Sequence, residues 1–363
     1  MVHGEFPEIK SLTTLDSNDI TDQGVSGVIT KKINVSDKFV FTVPLNNNAQ
    51  RLVQFQQDEE VKAYIGYDDY GSTPQFQGYI PPNGISHNDF EMKVTTYGHL
   101  ARLGNEYKYI GTRQTVDGTT EILNFEGWEM SSLAEDLVSS IDGSPLTTSG
   151  FHGTKPFQFV EETTDLGNGY VKKQTIINNL FQDMYDETSY PDPTKFYHLR
   201  ESGGVAYLEK TPDLNGTASI KTITLGTDVT VGNIKFRQGF SSKAVGFIAD
   251  GFFNEVTDVD RKARRGNYEI AVPSPGTGKL DDLQAKQIRE LQRHKSGLVR
   301  VFDITLSGAD FYWLNPWDVV YFSADKLGLT DYYMIAGVSI PYNRNGDIRL
   351  TLGNRGFLIS EAL

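Results

Sequence analysis

Residues 307–323 read SGADFYWLNPWDVVYFS and residues 331–354 read DYYMIAGVSIPYNRNGDIRLTLGN, and together they decide the fold class. Just before them, residues 299–306 alternate: Phe302, Ile304 and Leu306 fall on one face and Val301, Asp303 and Thr305 on the other. That is the period of a half-buried strand. Gly308 breaks the run, Pro316 removes a backbone donor, and residues 318–322 resume the β pattern, which predicts a corner between strands. Residues 342–347, with Asn345-Gly346 suited to positive φ, separate a strand over 332–340 from one over 348–352, so a hairpin is predicted.

The 363 residues suggest roughly two to four domains. Aromatics at 12% and 35 glycines describe a strand-rich, turn-rich globular chain. The formal net charge of −13 opposes non-specific binding to nucleic acid through a general basic field, while leaving room for a local basic patch. Without cysteine there is no disulfide, thiolate metal site or cysteine nucleophile. Residues 1–8 have neither a basic nor an apolar leader region, so assembly in the cytoplasm is expected. No apolar run approaches the roughly 20 residues that span a bilayer, so no stable membrane insertion is expected.

Working outward, residues 27–35, 38–43, 60–67, 75–80 and 90–97 are strand-length runs divided by turn-rich connectors, as in a sandwich or small barrel. Helical signals come later. Ser132-Leu133-Ala134-Glu135 is a capping-box pattern entering a short helix that stops before Gly143. Residues 175–188 carry an apolar stripe of Ile176, Ile177, Leu180, Phe181, Met184 and Tyr185, closed by Pro191 and Pro193. Residues 280–295 open with acids and end with Arg289, Arg293 and Lys295, complementing a helix dipole. Strands return at 196–200, 205–210, 231–237 and 244–248. The predicted class is mainly β with inserted helices (α+β), not an alternating parallel α/β sheet.

Motifs for chemistry are weak. Gly276-Thr277-Gly278-Lys279 resembles a phosphate loop, but Pro273 and Leu280 stand where that motif needs Gly and Ser or Thr. Six scattered histidines lack metal-helix spacing, and Asp16-Ser17-Asn18 fails as a calcium loop because Ile20 replaces an oxygen ligand. The acidic groups Asp58-Glu59-Glu60, Asp68-Asp69, Glu161-Glu162 and Asp281-Asp282 read as solvated turns, strand ends and a helix cap. No catalytic, cofactor or metal residue is assigned. The one basic run, Arg261, Lys262, Arg264 and Arg265, is a candidate phosphate- or partner-contacting loop. Trp313 and Trp317 are candidate corner or interface aromatics.

The order of segments resembles the tail hub proteins of long-tailed phages and related contractile injection systems. Glu60-Val61-Lys62-Ala63-Tyr64-Ile65-Gly66, Phe76-Gln77-Gly78-Tyr79-Ile80 and residues 90–100 (FEMKVTTYGHL) follow that family's first tube-like domain. The helix over 175–188, then Phe196-Tyr197-His198-Leu199-Arg200 and residues 203–208, is similar to its middle region. The helix before Gly297 and the Gly308, Leu314, Pro316, Asp318, Val320 pattern resemble the second tube-like domain. One departure is Trp317, where relatives often have Gly after this proline.

The resemblance implies two tube-like β-barrel domains plus an α/β insertion: residues 1–104, an insertion over 105–195, a second barrel from 196–236 with 298–363, and inserted strands and a helix over 237–297. It further implies a non-enzymatic virion protein at the tail tip or baseplate. As a homotrimer it would join a hexameric tail tube or distal tail protein to a spike, tip or fibre protein, near the tape-measure protein. Viral DNA would pass through its lumen without sequence-specific binding, and an acidic wall would keep DNA from sticking. The alternatives are a carbohydrate-active cell-wall hydrolase with inconspicuous carboxylates, and a carbohydrate-binding β module using Trp128, Trp313 and Trp317.

Overall fold

A computed structural model of the chain describes residues 9–15, 18–20, 25–33, 35–45, 55–67, 73–151, 159–160, 166–183, 197–210, 212, 214, 219–230, 234–237, 243–247, 253–257, 269–272, 287, 301–306, 311–342 and 347–353. The first block comprises β1 (Ile9–Leu15), β2 (Asn18–Asp19), β3 (Ser26–Lys32), β4 (Val35–Pro44), β5 (Glu60–Tyr67), β6 (Phe76–Tyr79), β7 (Ile85–His87) and β8 (Glu91–Tyr97). The second comprises β15 (Lys221–Thr224), β16 (Ile234–Arg237), β20 (Val301–Leu306), β21 (Val319–Ser323), β22 (Asp331–Tyr342) and β23 (Ile348–Gly353). Alternation dictates these strands: Ile29, Phe39, Phe41, Met92 and Val94 point one way and are buried, while Thr30, Lys38, Val40 and Thr95 point the other.

The two blocks are not separate sheets. Their strands hydrogen-bond in the order β16-β20-β23-β22-β3-β4-β8-β6-β5-β1-β2, with β22 pairing antiparallel to β3 from Gly337↔Lys32 to Tyr342↔Gly27. Side chains follow the backbone across this seam. One apolar core holds Phe39, Phe41 and Phe76 together with Phe302, Phe322, Tyr333 and Tyr342, and the Phe39 and Tyr342 rings meet edge to face at 5.0 Å. Gly27 is required there, because a Cβ would lie 2.2 Å from the Val40 carbonyl oxygen.

Between the blocks stands an insertion with its own core. It contains β9 (Tyr107–Gln114), β10 (Thr120–Leu123), α1 (Met130–Ser139), β11 (Thr147–Gly150), β12 (Gly169–Lys172), α2 (Lys173–Asp183), β13 (Tyr197–Ser202) and β14 (Val205–Lys210). Leu133, Leu137, Ile176, Ile177, Leu180 and Phe181 pack between the helices, and Leu199 and Leu208 of the β13–β14 hairpin join them. A further small sheet has the order β18 (Phe253–Thr257), β17 (Lys243–Phe247), β19 (Glu269–Val272).

Helix entries differ from the sequence reading. α1 begins at Met130, ahead of the capping box, with Glu129 in the N-cap position, and Ser132 Oγ donates to Glu129 Oε2 at 3.3 Å. α2 begins at Lys173, whose ammonium is held by Glu106 Oε2 at 2.6 Å and the Ser140 carbonyl at 2.7 Å. The helix predicted over 280–295 lies outside the described residues except for Gln287, which is buried and helical.

Candidate functional site

The alternation that builds the core also drives two charges into its end. Leading into and along β3 the inward series Val25, Gly27, Ile29 continues to Lys31, and on β4 Asp37 precedes Phe39, Phe41 and Val43. Lys31 and Asp37 are both buried. Lys31 Nζ donates to Gln75 Oε1 at 3.0 Å and to Asn315 Oδ1 at 2.8 Å, tying the first block to the second. Burial lowers its pKa, against the attraction of Asp37 and Asp318. Burial raises the Asp37 pKa well above the usual carboxylate range; Lys31 opposes this and Glu201 adds to it.

Glu201 reaches this point from β13. Its Oε1 accepts from Ser36 Oγ at 2.9 Å and from the Asp37 N–H at 3.1 Å, and its Oε2 accepts from the Leu100 N–H at 3.0 Å. The last bond satisfies an otherwise orphaned donor at the start of the 3-10 turn His99–Gly104. Gly98 makes the approach possible, since a Cβ there would lie 1.6 Å from Oε1. Burial raises the Glu201 pKa, and the hydrogen bonds to Leu100, Ser36, Asp37 and His99 pull the other way.

The opposite face of β13 carries His198 and Arg200. Arg200 makes a two-pronged pair with Glu209 at 2.6 and 2.9 Å, with its guanidinium 4.2 Å above the Tyr207 ring. His198 is buried 4.9 Å from the Trp317 ring, edge to face, and burial depresses its pKa to about 3. His99 stacks on Tyr79 at 5.9 Å; burial first, then Arg102, lowers its pKa to about 4. Neither ring nitrogen of His99 has a hydrogen-bond partner among the described residues. His99, Asp37 and Glu201 line one small crevice with Gln75 and Gln77. Three parts of the chain thus meet in a buried, mostly satisfied polar lock.

Trp317 sits where the second block turns into β21, with φ +88°. Its N–H donates to the Ile335 carbonyl at 2.7 Å, the Ile335 N–H donates to the Asp318 carbonyl at 2.8 Å, and Asp318 Oδ2 accepts from the Asn315 N–H at 2.7 Å. The indole packs on Ile33, Met334 and Ala336. Backbone at this φ favours residues without a Cβ, so Trp317 is held there against that preference. Trp313 lies nearby but is exposed, with its carbonyl accepting from Asn315 Nδ2 at 2.9 Å. Trp128 is also exposed, edge to face with Phe125.

The basic run Arg261, Lys262, Arg264 and Arg265 lies outside the described residues, as do the loop at 276–279 and the acidic pairs at 68–69, 161–162 and 281–282. Of the remaining acidic group, Asp58 approaches Arg102 at 3.6 Å and Glu60 pairs with Lys62 at 2.8 Å. Among the described residues, no group of three or more His, Cys, Asp or Glu could hold a metal ion. The sequence reading missed Lys31, Asp37, Arg200, Glu201 and Asp318. The available signal was charge falling in phase with core positions on β3 and β4.

No family model matches the sequence, and no curated protein matches it. Solved structures do. The 43 kDa tail protein of prophage MuSo2 from Shewanella oneidensis is 14% identical, with a TM-score of 0.61 over 96% of this chain and 98% of that one. The tail protein from Neisseria meningitidis MC58 is 12% identical, with a TM-score of 0.63 over 98% and 99%. Prophage tail protein gp18 from Listeria monocytogenes is 12% identical, with a TM-score of 0.55 over 96% of each chain. This chain therefore has the fold of these tail proteins over nearly its whole length, in keeping with the resemblance in segment order and with the mainly β class with inserted helices.

Proposed function

We propose that the protein is a non-enzymatic structural component of a phage tail tip or baseplate, acting as the hub that joins a sixfold tube to a threefold tip. The observation that carries this reading is the edge-to-edge union of two β blocks through β3 and β22, within a fold shared along its length with prophage tail proteins. Two linked blocks per chain let a trimer offer six roughly equivalent positions around an axis, which reconciles the two symmetries through extended interfaces rather than through an active site. Each block would complete a tube-like barrel within the ring. A tube or distal tail protein would bind one end, a spike, tip or fibre protein the other, with the tape-measure protein and the viral DNA inside.

The buried lock fits a load-transmitting role. It fixes the insertion against the first block, and the first block against the second, with directional bonds, so the insertion cannot slide as it could on a purely apolar contact. Cross-linking of assembled particles, followed by mass determination of the products, tests the reading. The expected outcome is a trimer ladder with additional links to tube and tip proteins. A chain that stays monomeric in particles overturns it. Light scattering at high concentration checks whether the trimer also forms without partners.

A further inference from the structure

The joint between β4 and β13 holds two carboxyl groups but only one set of donors. Asp37 and Glu201 line the same crevice, together with Gln75, Gln77, His99 and Ser202. Each keeps 8% of its surface exposed, enough for a proton to exchange with solvent. Glu201 takes the donors: the Ser36 hydroxyl, the Asp37 N–H and the Leu100 N–H all point at its two oxygens. The Asp37 carboxyl receives none among the described residues. The charged and titratable groups around the pair are Lys31 from β3, Arg200 from β13, Asp318 from the corner before β21, Tyr79 from β6, and His99 and Arg102 from the 3-10 turn. None of these cations touches either carboxyl. Lys31 is committed to Gln75 and Asn315, Arg200 to Glu209, and Arg102 approaches Asp58.

The two carboxyls belong to different bodies. Ser36 and Asp37 stand on β4 in the first block, whereas Glu201 stands on a hairpin whose Leu199 and Leu208 join the insertion core along with Leu100 and Leu103 of the 3-10 turn. The Leu100 bond therefore stays inside the insertion, while the Ser36 and Asp37 bonds cross the joint. The hairpin's own turn, Gly203-Gly204, lies against Thr73 and Gln77 of the first block, a contact without charge. The chain passes from one body to the other at Gly98, whose N–H donates to the Asp37 carbonyl at 2.8 Å. A natural hinge thus stands beside the carboxyl pair.

We propose that Asp37 and Glu201 form a proton-dependent latch: with one proton between them the insertion is held on the first block, and with that proton gone the two carboxylates repel and β13 parts from β4, freeing the insertion to turn about Gly98. The donors decide where the proton sits. Glu201, with three of them, is the carboxylate, and Asp37 carries the proton. Burial raises both pKa values, so the proton is kept on the acid side and lost as pH rises through the folded value; the latch is closed at low pH and opens upward. His99, with a pKa of about 4, is uncharged over that range and cannot replace the lost proton. By linkage, a partner that binds only the released insertion binds more tightly as pH rises, and its binding expels one proton. The latch is independent of the hub reading.

Because the chain has no cysteine, Lys93→Cys on β8 and Ser139→Cys at the end of α1, both exposed positions, can carry a pair of nitroxide labels in the full-length protein. Distance distributions by pulsed electron resonance, taken between about pH 6 and 10, test the latch. One short distance is expected at the acid end. A longer one should grow with pH, the ratio of long to short rising about tenfold per pH unit through the transition, as the loss of one proton requires. In the same labelled background, Asp37→Asn should hold the short distance across the whole range, and Glu201→Gln, which leaves a single titratable carboxyl, should give a distribution that does not change with pH. A wild-type distribution unchanged to the alkaline end overturns the proposal. So does alkaline opening that persists in Asp37→Asn, which would assign the effect to Lys31 losing its charge. If Asp37→Asn fails to fold, pH-dependent opening in Glu201→Gln has the same force.

Discussion

The first β block is held by two buried joints of opposite chemistry. Its seam with the second block pairs β3 with β22 over rings of Phe39, Phe76 and Tyr342, with no carboxylate or basic side chain in that ring contact. Its joint with the insertion is made of Glu201 and its hydroxyl and amide partners on Ser36, Asp37 and Leu100, beside Lys31, which bonds Gln75 and Asn315 and adds a polar tie between the blocks. Apolar burial is strong and non-directional, so the seam supplies stability, and backbone pairing supplies its register. Buried charge is costly unless every bond is made, so the insertion joint contributes little net stability but accepts one geometry. The proposed hub role would use both: blocks that do not separate, and an insertion that does not drift.

The largest expected effect lies in the seam. Phe39→Ala removes a fully buried ring that touches Phe41, Phe76 and Tyr342, and should lower unfolding stability by about 3–5 kcal/mol. Denaturant unfolding should show both blocks losing stability together. If only the first block is destabilised, the shared core is not one cooperative unit.

The next effect separates the joints by pH. His198 and His99 have pKa values of about 3 and about 4, below the ordinary 6.5, because burial disfavours their charged forms. Between those values the unfolded chain binds more protons, so stability falls as pH drops from 6.5 towards 4, by about 3 kcal/mol per histidine at about 1.36 kcal/mol per pH unit. Asp37 and Glu201 act with the opposite sign. Their raised pKa values contribute stability below the ordinary carboxylate range, and that contribution is lost as pH rises through the folded values. Melting curves across pH should therefore flatten on the acid side in His198→Phe and rise on the alkaline side in Asp37→Asn. Phe39→Ala should shift the whole curve without changing its shape. A Phe39→Ala curve that also changes shape would mean the two joints are not chemically distinct.

Glu201→Gln sharpens the contrast locally. One acceptor oxygen and the charge disappear, leaving at least one buried donor among Ser36, Asp37 and Leu100 unpaired, at a cost of about 2 kcal/mol. Amide hydrogen exchange should quicken at Asp37 and Leu100 while the β3–β22 amides keep their protection. Equal loss in both places would show that the joint and the seam open as one.

The legible part of this structure is the part set by period. Residues 60–67 and 205–210 are strands with the predicted limits, the corner occurs at Pro316, and β22 and β23 pair antiparallel as the predicted hairpin, whose turn at 343–346 lies outside the described residues. β9 escaped prediction because its outward positions carry Tyr107 and Tyr109, so apolar residues stand on both faces and the alternation is blurred. The polar lock escaped for a different reason. Lys31 and Asp37 are separated from Glu201 by more than 160 positions in the chain, and only the packed fold shows that charges at the ends of two strands meet a third. The union of the blocks was likewise hidden, since β3 and β22 carry no mark of which edge they will share.

Trp317 belongs to both joints, and it gives the smallest and most discriminating test. Its backbone lies at φ +88°, a region that disfavours a Cβ, while its ring closes the end of the seam and covers His198. The two contributions separate by comparing Trp317→Ala with Trp317→Gly. Both variants lose the indole packing, and both should be destabilised by roughly 3 kcal/mol if the ring is well seated. Glycine alone relieves the backbone, so Trp317→Gly should be more stable than Trp317→Ala by about 1 kcal/mol, opposite to the usual order of these residues in regular structure. Equal stabilities would mean that the corner relaxes when the ring is removed, and that side-chain packing, not the Trp317 and Ile335 hydrogen bonds, holds the turn.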